Sequence, residues 1–234
     1  MIPHPNDGPV RNGRRDPELT QREILDAAAE EFARHGPRGA RTDDIAERTN
    51  SSKRMIYYYF GSKDALYEAV LRETYVRIRT SEAHLGLSEK EPVEALVCLI
   101  RATLDHYERN PQLARIVAME NIVRQGHTLA EMDGVQELNR TALDTLTDVL
   151  RRGREAGVFR TDDDAPGALD VHQVLSALVL NRVEHQGTFR VAFGRDMLGE
   201  QDSPHVRRLI ENTVLRLVLA DPESVGRSEA TTAG

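Results

Sequence analysis

The sequence predicts an all-α protein of about nine helices, and three observations carry that prediction. Apolar residues recur at three- and four-residue spacing along almost the whole chain. Aromatic residues make up only 5% of the 234 positions, and the β-branched alternation that marks strands is scarce. The breaks between periodic stretches carry Gly, Pro, Asn and Ser where helices start and stop.

The elements follow in order. Thr20-Gln-Arg-Glu23 has the pattern of a capping box, and Ile24, Ala28 and Phe32 continue it as an apolar stripe. His35-Gly36-Pro37 stops this first helix. A short helix is predicted over 42–49, with Asp43 and Asp44 in its first turn, where the helix dipole favours negative charge. Asn50 tolerates the left-handed backbone of a tight turn. Ser51 or Ser52 can cap a second short helix through Tyr59, and Gly61-Ser62 precedes a long one over 63–80. Further helices are expected at 91–109, 111–125, 131–156, 165–186 and 203–220. Asn110-Pro111 reads as a cap followed by proline at the first helical position, and Asp164-Ala-Pro166 as the opening of the next-to-last helix.

Composition bounds the function. Hydrophobic residues are 39% and charged residues 29% of the chain, as in ordinary globular proteins. No stretch approaches the 18 or so apolar residues that cross a bilayer. The first sixteen residues lack an apolar run, so neither a signal peptide nor an anchor is expected there. Cys98 is the single cysteine; it suits a reducing compartment and reads as a small core residue. The net charge of −7 is unevenly spread. Residues 32–63 hold seven basic and three acidic side chains, or +4, against 20 basic and 28 acidic, or −8, over 64–234. A small basic surface on an acidic body is the pattern a phosphate backbone would select.

Two short helices joined by a tight turn are too small to be stable alone, yet suit a helix-turn-helix packed on the first helix. Ile45, Ala46 and Ile56 are its inward positions, and Lys53, Arg54, Tyr57 and Tyr58 are left outward. Lys, Arg and Tyr near the start of the second helix offer donors for phosphates and guanine edges. Three consecutive tyrosines, Tyr57 to Tyr59, cannot all face inward, so at least one is exposed.

Residues Ile24–Leu71 resemble the DNA-binding domain of the TetR-type transcriptional regulators. The resemblance lies in ILDAAAEEFARHG and in DDIAERTNSSKRMIYYYFGSKDALYEAVL, above all in Ser52–Leu66 with its Tyr-x-Tyr-Phe followed by Ser-Lys and an acidic residue. It implies that Thr42 holds a phosphate and that Ser52, Lys53, Arg54 and Met55 form the edge that meets bases. It further implies that Tyr57 binds phosphate, that Tyr58 occupies a variable position and that Lys63 clamps the DNA backbone. Asn50 stands where the family usually has glycine, Ser51 where it has Val or Ala, and Pro37 where an aromatic is common. Arg41 replaces the customary Thr or Ser and is long enough to reach a phosphate itself. Arg11, Arg14 and Arg15 are candidates for a minor-groove arm or for a solvated tail.

The same resemblance implies an effector-binding and dimerisation domain behind the reading head. The chain then divides into an arm at 1–16, a helix-turn-helix domain at 17–62, the effector and dimer domain at 63–220, and a tail at 221–234. The implied partners are double-stranded operator DNA, a second copy of the chain and an unidentified small-molecule effector, with no cofactor, metal or membrane, in the cytoplasm at the nucleoid. Pocket candidates are Thr74, Ile78, Leu104, Tyr107, Met119, Glu120 and Val123; Glu120 either orients a ligand or pairs with Arg115 or Arg124. Interface candidates are Val171, Val174, Leu175 and Leu178 with Val206, Ile210, Val214 and Leu217, the apolar stripes of the last two long helices. Catalysis is disfavoured: no HExxH, Cys-His cluster, Gly-rich phosphate loop or nucleophile elbow is present.

Overall fold

Eleven α-helices run through residues 16–225, the part of the chain that the computed structural model describes. The arm with Arg11, Arg14 and Arg15 and the tail past Val225 lie outside the described residues. The helices are α1 Pro17–Gly39, α2 Thr42–Arg48, α3 Lys53–Phe60, α4 Lys63–Ala83, α5 Pro92–Arg109, α6 Pro111–Met119, α7 His127–Glu131, α8 Val135–Glu155, α9 Ala168–Glu184, α10 Gln186–Phe193 and α11 Ser203–Val218. Two exceed the nine predicted. Gly134, at φ 75°, separates α7 from α8. Beyond α9, the segment 186–193 folds as a separate helix from His185.

Several caps differ from the sequence reading. Asp16, not Thr20, caps α1: its carboxylate accepts from the Glu18 N–H at 3.0 Å. Thr20 lies one turn inside, buried, and its hydroxyl donates to the Asp16 carbonyl at 3.0 Å. The helix therefore starts four residues earlier, with Pro17 at its first position. Asn110 does not cap α6; its amide donates back to the His106 carbonyl at 2.8 Å and closes α5 instead. The opening of α9 falls at Gly167, whose N–H donates to Asp170 at 2.8 Å, rather than at Asp164. Gly36, at φ 68° and ψ 171°, breaks the axis of α1 before its last turn.

Two apolar clusters organise the packing. Ile24, Ala28, Phe32, Ile45, Ile56, Leu66, Tyr67 and Leu71 join α1–α4 to Leu113 and Ile116 of α6 and to Val135 of α8. The second cluster gathers Ile78, Leu96, Ile100, Leu104, Val149, Leu150, Val171, Leu175, Val214 and Val218 from α4, α5, α8, α9 and α11. Helix α4 contributes to both, so the reading head and the larger body share one rigid rod. Cys98 is half-buried against the second cluster.

The end of α8 is pinned to the end of α11 by an antiparallel bridge between Phe159 and Leu219. Its hydrogen bonds run from the Arg160 N–H to the Val218 carbonyl at 2.8 Å and from the Ala220 N–H to the Val158 carbonyl at 3.0 Å. The Phe159 ring lies on Gly153, where a Cβ would come within 1.9 Å of it. Only a glycine lets the aromatic ring close over α8 there.

Candidate nucleic-acid interface and ligand cavity

Backbone hydrogen bonds close the turn between α2 and α3, and the Thr49 hydroxyl adds a bond to the Ile45 carbonyl at 3.0 Å. Asn50 adopts φ 48°, the Ser51 N–H donates to the Ala46 carbonyl at 3.1 Å and the Asn50 N–H to the Glu47 carbonyl at 3.5 Å. This is a Schellman closure with asparagine in the left-handed position that glycine commonly fills. Asn50→Ala is expected to lose about 1 kcal/mol more than Asn50→Gly, because glycine takes the left-handed backbone at little steric cost. Urea midpoints of the two variants check this; equal midpoints would contradict it.

Behind the turn, Glu31 is buried inside the head. One of its carboxylate oxygens accepts from the Arg41 N–H at 3.3 Å and the other from the Arg48 guanidinium at 3.2 Å. It thus holds both ends of α2 onto α1. A lone Glu on a helix looks like a solvated face in sequence, so this positioning role was not legible there.

Helix α3 starts at Ser52, whose hydroxyl accepts from the Met55 N–H at 3.1 Å. Ile56 is its buried position, and Ile45 and Ala46 of α2 are buried with it, as the sequence predicts. Lys53, Arg54, Met55, Tyr57 and Tyr58 are all exposed along α3, with Tyr58 at 80%. Lys53 pairs with Asp43 at 3.0 Å. Arg54 and Arg41 are exposed and make no ion pair among the described residues. Two cations in the first turn, with no acidic residue there, oppose the helix dipole. That arrangement weakens the isolated helix and favours contact with an anion.

Two expected phosphate contacts are partly engaged within the protein. Thr42 is buried, and its hydroxyl lies 3.4 Å from the Tyr57 hydroxyl. Lys63 is half-buried, and its ammonium donates to the carbonyls of Arg38 at 3.1 Å and Ala40 at 3.3 Å. Lys63 therefore seals the α1–α2 turn, keeping one N–H of its three for an external acceptor.

A cavity of about 190 Å³ lies between α4, α5, α8 and α9, lined by Tyr75, Ile78, Arg79, Glu82, Leu99, Thr103, Tyr107, Leu146, His172, Leu175 and Ser176 among others. Of the pocket candidates, Ile78 and Tyr107 line it. Thr74 does not: it is buried and bonded to the Val70 carbonyl at 2.9 Å. Leu104 is core. Met119 packs where the α1 axis breaks, its sulfur 3.7 Å from the site of a Gly36 Cβ. Glu120 belongs to a π-turn, Glu120–Arg124, and Val123 of that turn faces outward. Glu120 is fully buried and accepts from the Thr128 N–H at 2.8 Å; it forms no ion pair with Arg115 or Arg124 among the described residues. Arg124 instead pairs with Asp64 at 2.5 Å and lies 5.0 Å over the Tyr67 ring. The polar members of the cavity, Arg79, Glu82 and His172, were missed because they sit among other charges on mixed helix faces.

Burial, with Arg79 nearby, holds His172 below its ordinary value of 6.5; burial, with Arg77 and Arg109, does the same to His106. The unfolded chain thus binds protons that the folded one resists. Stability is complete above the unfolded value and falls as pH drops below about 6.5. Urea midpoints at pH 7.5 and 5.5 test this, and the difference should shrink in a His106→Asn/His172→Gln double variant.

The interface candidates divide. Val171, Leu175, Val206, Ile210 and Val214 are buried within the protomer, so the widest apolar stripes serve its own core rather than a partner. Val174, Leu178 and Leu217 are only partly covered. Beside them the outward faces show Ala177 and Asn181 on α9 and Leu209, Thr213 and Arg216 on α11.

These features agree with the comparisons. Residues 24–70 match the family described as bacterial regulatory proteins, tetR family, and residues 92–214 match a tetracyclin repressor-like C-terminal domain. The HTH-type transcriptional repressor NicS of Pseudomonas putida is 36% identical over 143 residues, covering 61% of this chain and 67% of its own. An HTH-type transcriptional repressor of Streptomyces coelicolor is 32% identical over 155 residues, 66% of this chain and 75% of its own. In fold, a bacterial regulatory protein in the tetR family from Rhodococcus RHA1 superposes with a TM-score of 0.67 at 19% identity, covering 86% of this chain and 98% of that one. Among the described residues no helix is long and apolar enough to cross a membrane. The reading head, the helical body and both matches together make this chain a member of the TetR family of DNA-binding transcriptional regulators.

Proposed function

We propose that the protein is a ligand-responsive repressor that binds a two-fold-symmetric operator as a homodimer and leaves it when a small molecule occupies the α4–α5–α8–α9 cavity. The observation that carries this reading is the exposed surface of α3. Lys53, Arg54, Met55, Tyr57 and Tyr58 stand together there, on a helix whose own electrostatics gain nothing from them. One short helix reads few base pairs, so two half-sites about a helical turn apart are needed for specificity. The partly covered faces of α9 and α11 supply the surface for pairing. A preference of the effector for one spacing of the two heads then shifts the population away from the DNA-competent state. An operator-bound repressor of this kind would work in the cytoplasm, at the nucleoid.

Selection of duplexes from a randomised pool tests the reading and yields the operator. Arg54→Ala is then expected to lose about 1–3 kcal/mol on the selected sequence and to relax preference at one position in each half-site. Lys63→Ala is expected to weaken all sequences alike and to lower the log–log salt slope by about one. Equal, sequence-independent losses in both variants would overturn this division of roles, and a pool that yields no palindrome would overturn the dimeric operator.

A further inference from the structure

Two phenol hydroxyls set the chemistry of the cavity between α4, α5, α8 and α9. Tyr75 and Tyr107 both line it; Tyr107 is only 9% exposed and Tyr75 is half-buried. A buried tyrosine hydroxyl ordinarily finds a hydrogen-bond partner. Neither of these makes a hydrogen bond among the described residues, and neither oxygen is sealed off in the packing. An incoming atom can therefore reach both. Burial raises Tyr75 and Tyr107 above the ordinary tyrosine value of 10, and Tyr75 adds to the effect on Tyr107. Both hydroxyls stay protonated and so remain donors.

The other polar groups on the wall are engaged. Thr103 donates to the Leu99 carbonyl at 2.9 Å, and the Ser176 hydroxyl lies 3.5 Å from the His172 ring. Arg79 donates to Glu82 at 2.7 Å and to Asn139 at 2.8 Å, so the one guanidinium and the one carboxylate balance each other. Burial holds His172 below its ordinary value, and it adds no charge at neutral pH. Ile78, Leu99, Leu146 and Leu175 supply apolar walls. The volume of about 190 Å³ compares with the roughly 150 Å³ that holds one benzene molecule in an apolar protein cavity.

We infer that the cavity takes a small, uncharged, mostly apolar compound whose one polar group is an oxygen accepting hydrogen bonds from Tyr75 and Tyr107. This deepens the reading of the cavity as the effector site and rests on it. A ketone, ester or lactone oxygen has two lone pairs, one for each phenol. An ionised ligand is disfavoured, because no unbalanced opposite charge stands ready to offset its desolvation between apolar walls.

The tyrosines also provide the test, since their hydroxyls hold nothing else in the protein. Calorimetric titration of the full chain compares acetophenone with ethylbenzene, which has the same shape without the carbonyl, and with benzoate and benzylammonium. Acetophenone is expected to bind at least about tenfold tighter than the other three, the ratio two modest hydrogen bonds provide. Tyr75→Phe and Tyr107→Phe are each expected to weaken acetophenone by about three- to tenfold and to leave ethylbenzene within about twofold. The double variant should bind the two compounds alike, with its urea midpoint undiminished. Ethylbenzene matching acetophenone in the unaltered protein, or acetophenone undiminished in the double variant, overturns the role of the hydroxyls. Benzoate or benzylammonium binding as tightly as acetophenone overturns the neutrality, and absent acetophenone binding overturns the ligand class. A lowered urea midpoint in the double variant would show that the hydroxyls serve the fold, and would overturn the inference as well. Operator release is read separately, by adding acetophenone to the protein–DNA complex. Binding without release counts against the effector proposal alone and leaves the ligand class standing.

Discussion

Arg182→Ala is expected to lose about 3–5 kcal/mol of folding stability, against a total of about 5–15 kcal/mol for a typical domain. Arg182 is 1% exposed, and each of its nitrogens has a partner. Nε donates to the Met197 carbonyl at 2.8 Å, Nη2 to the Ser203 hydroxyl at 2.6 Å, and Nη1 to Glu108. Arg207 completes the network, donating to Glu108 at 2.7 Å and to Asp105 at 2.6 Å. One guanidinium thus joins α9 to α5, to the start of α11 and to the connection between α10 and α11. Truncation leaves a buried carbonyl and hydroxyl unpaired and opens a cavity. Arg182→Met, which keeps the volume without the charge, should recover part of the loss, since a well-packed apolar side chain avoids the desolvation of a buried cation. Urea unfolding followed by circular dichroism measures both. A loss under about 1 kcal/mol for the alanine variant would show that the network is not what holds the body together.

Nothing in the sequence around Arg182 announces that role, and the reason is general. Periodicity reports which face of a helix is apolar, but not which distant groups meet a charged side chain that lies on it. The helix-turn-helix was legible because its signals are local: Ser52 and Ser62 cap the helices that follow them, Asn50 takes the turn, and Ile45, Ala46 and Ile56 are inward. Caps were misplaced where two residues competed for one end. Thr20 with Glu23 fits a capping box, yet Asp16 with Pro17 starts the helix earlier, and Thr20 is then free to bond inside it. Asn110 faced the same choice between two helices, and it closes the first.

The ligand cavity and the interface were less legible for a different reason. A helix in a multi-helix body can be apolar on more than one side, and a stripe does not say whether it meets the protomer core or a partner. The widest stripes of α9 and α11 went to the core. What remains outward is more mixed in polarity, with Ala177 and Asn181 exposed beside the half-covered Val174 and Leu178 on α9. Likewise Arg79 and Glu82, at i and i+3, read as a solvated pair, whereas they are largely enclosed at the cavity wall.

The outward faces of α9 and α11 lead to the expectation with the largest functional effect. Leu209→Asp should convert the proposed homodimer to a monomer at micromolar concentration and weaken operator binding by about 10²–10⁴-fold, the range lost when two linked contacts become one. Leu209 is 53% exposed, so the protomer should lose little stability, within about 0.5 kcal/mol. The charge acts only when a second face covers it, because a buried unpaired carboxylate is strongly disfavoured. Ala177→Glu on α9 should act in the same way, through both bulk and charge, since Ala177 is exposed in the protomer. Sedimentation velocity gives the assembly state, and fluorescence anisotropy with a duplex carrying both half-sites gives the affinity. Loss of affinity should track loss of the dimer, while binding to a single half-site stays unchanged, because α3 is far from either substitution in sequence and unaltered by it. A variant pair that remains dimeric would move the interface elsewhere. The exposed apolar end of α10, with Val191 at 86% and Phe193 at 71% exposure, is the surface to substitute next.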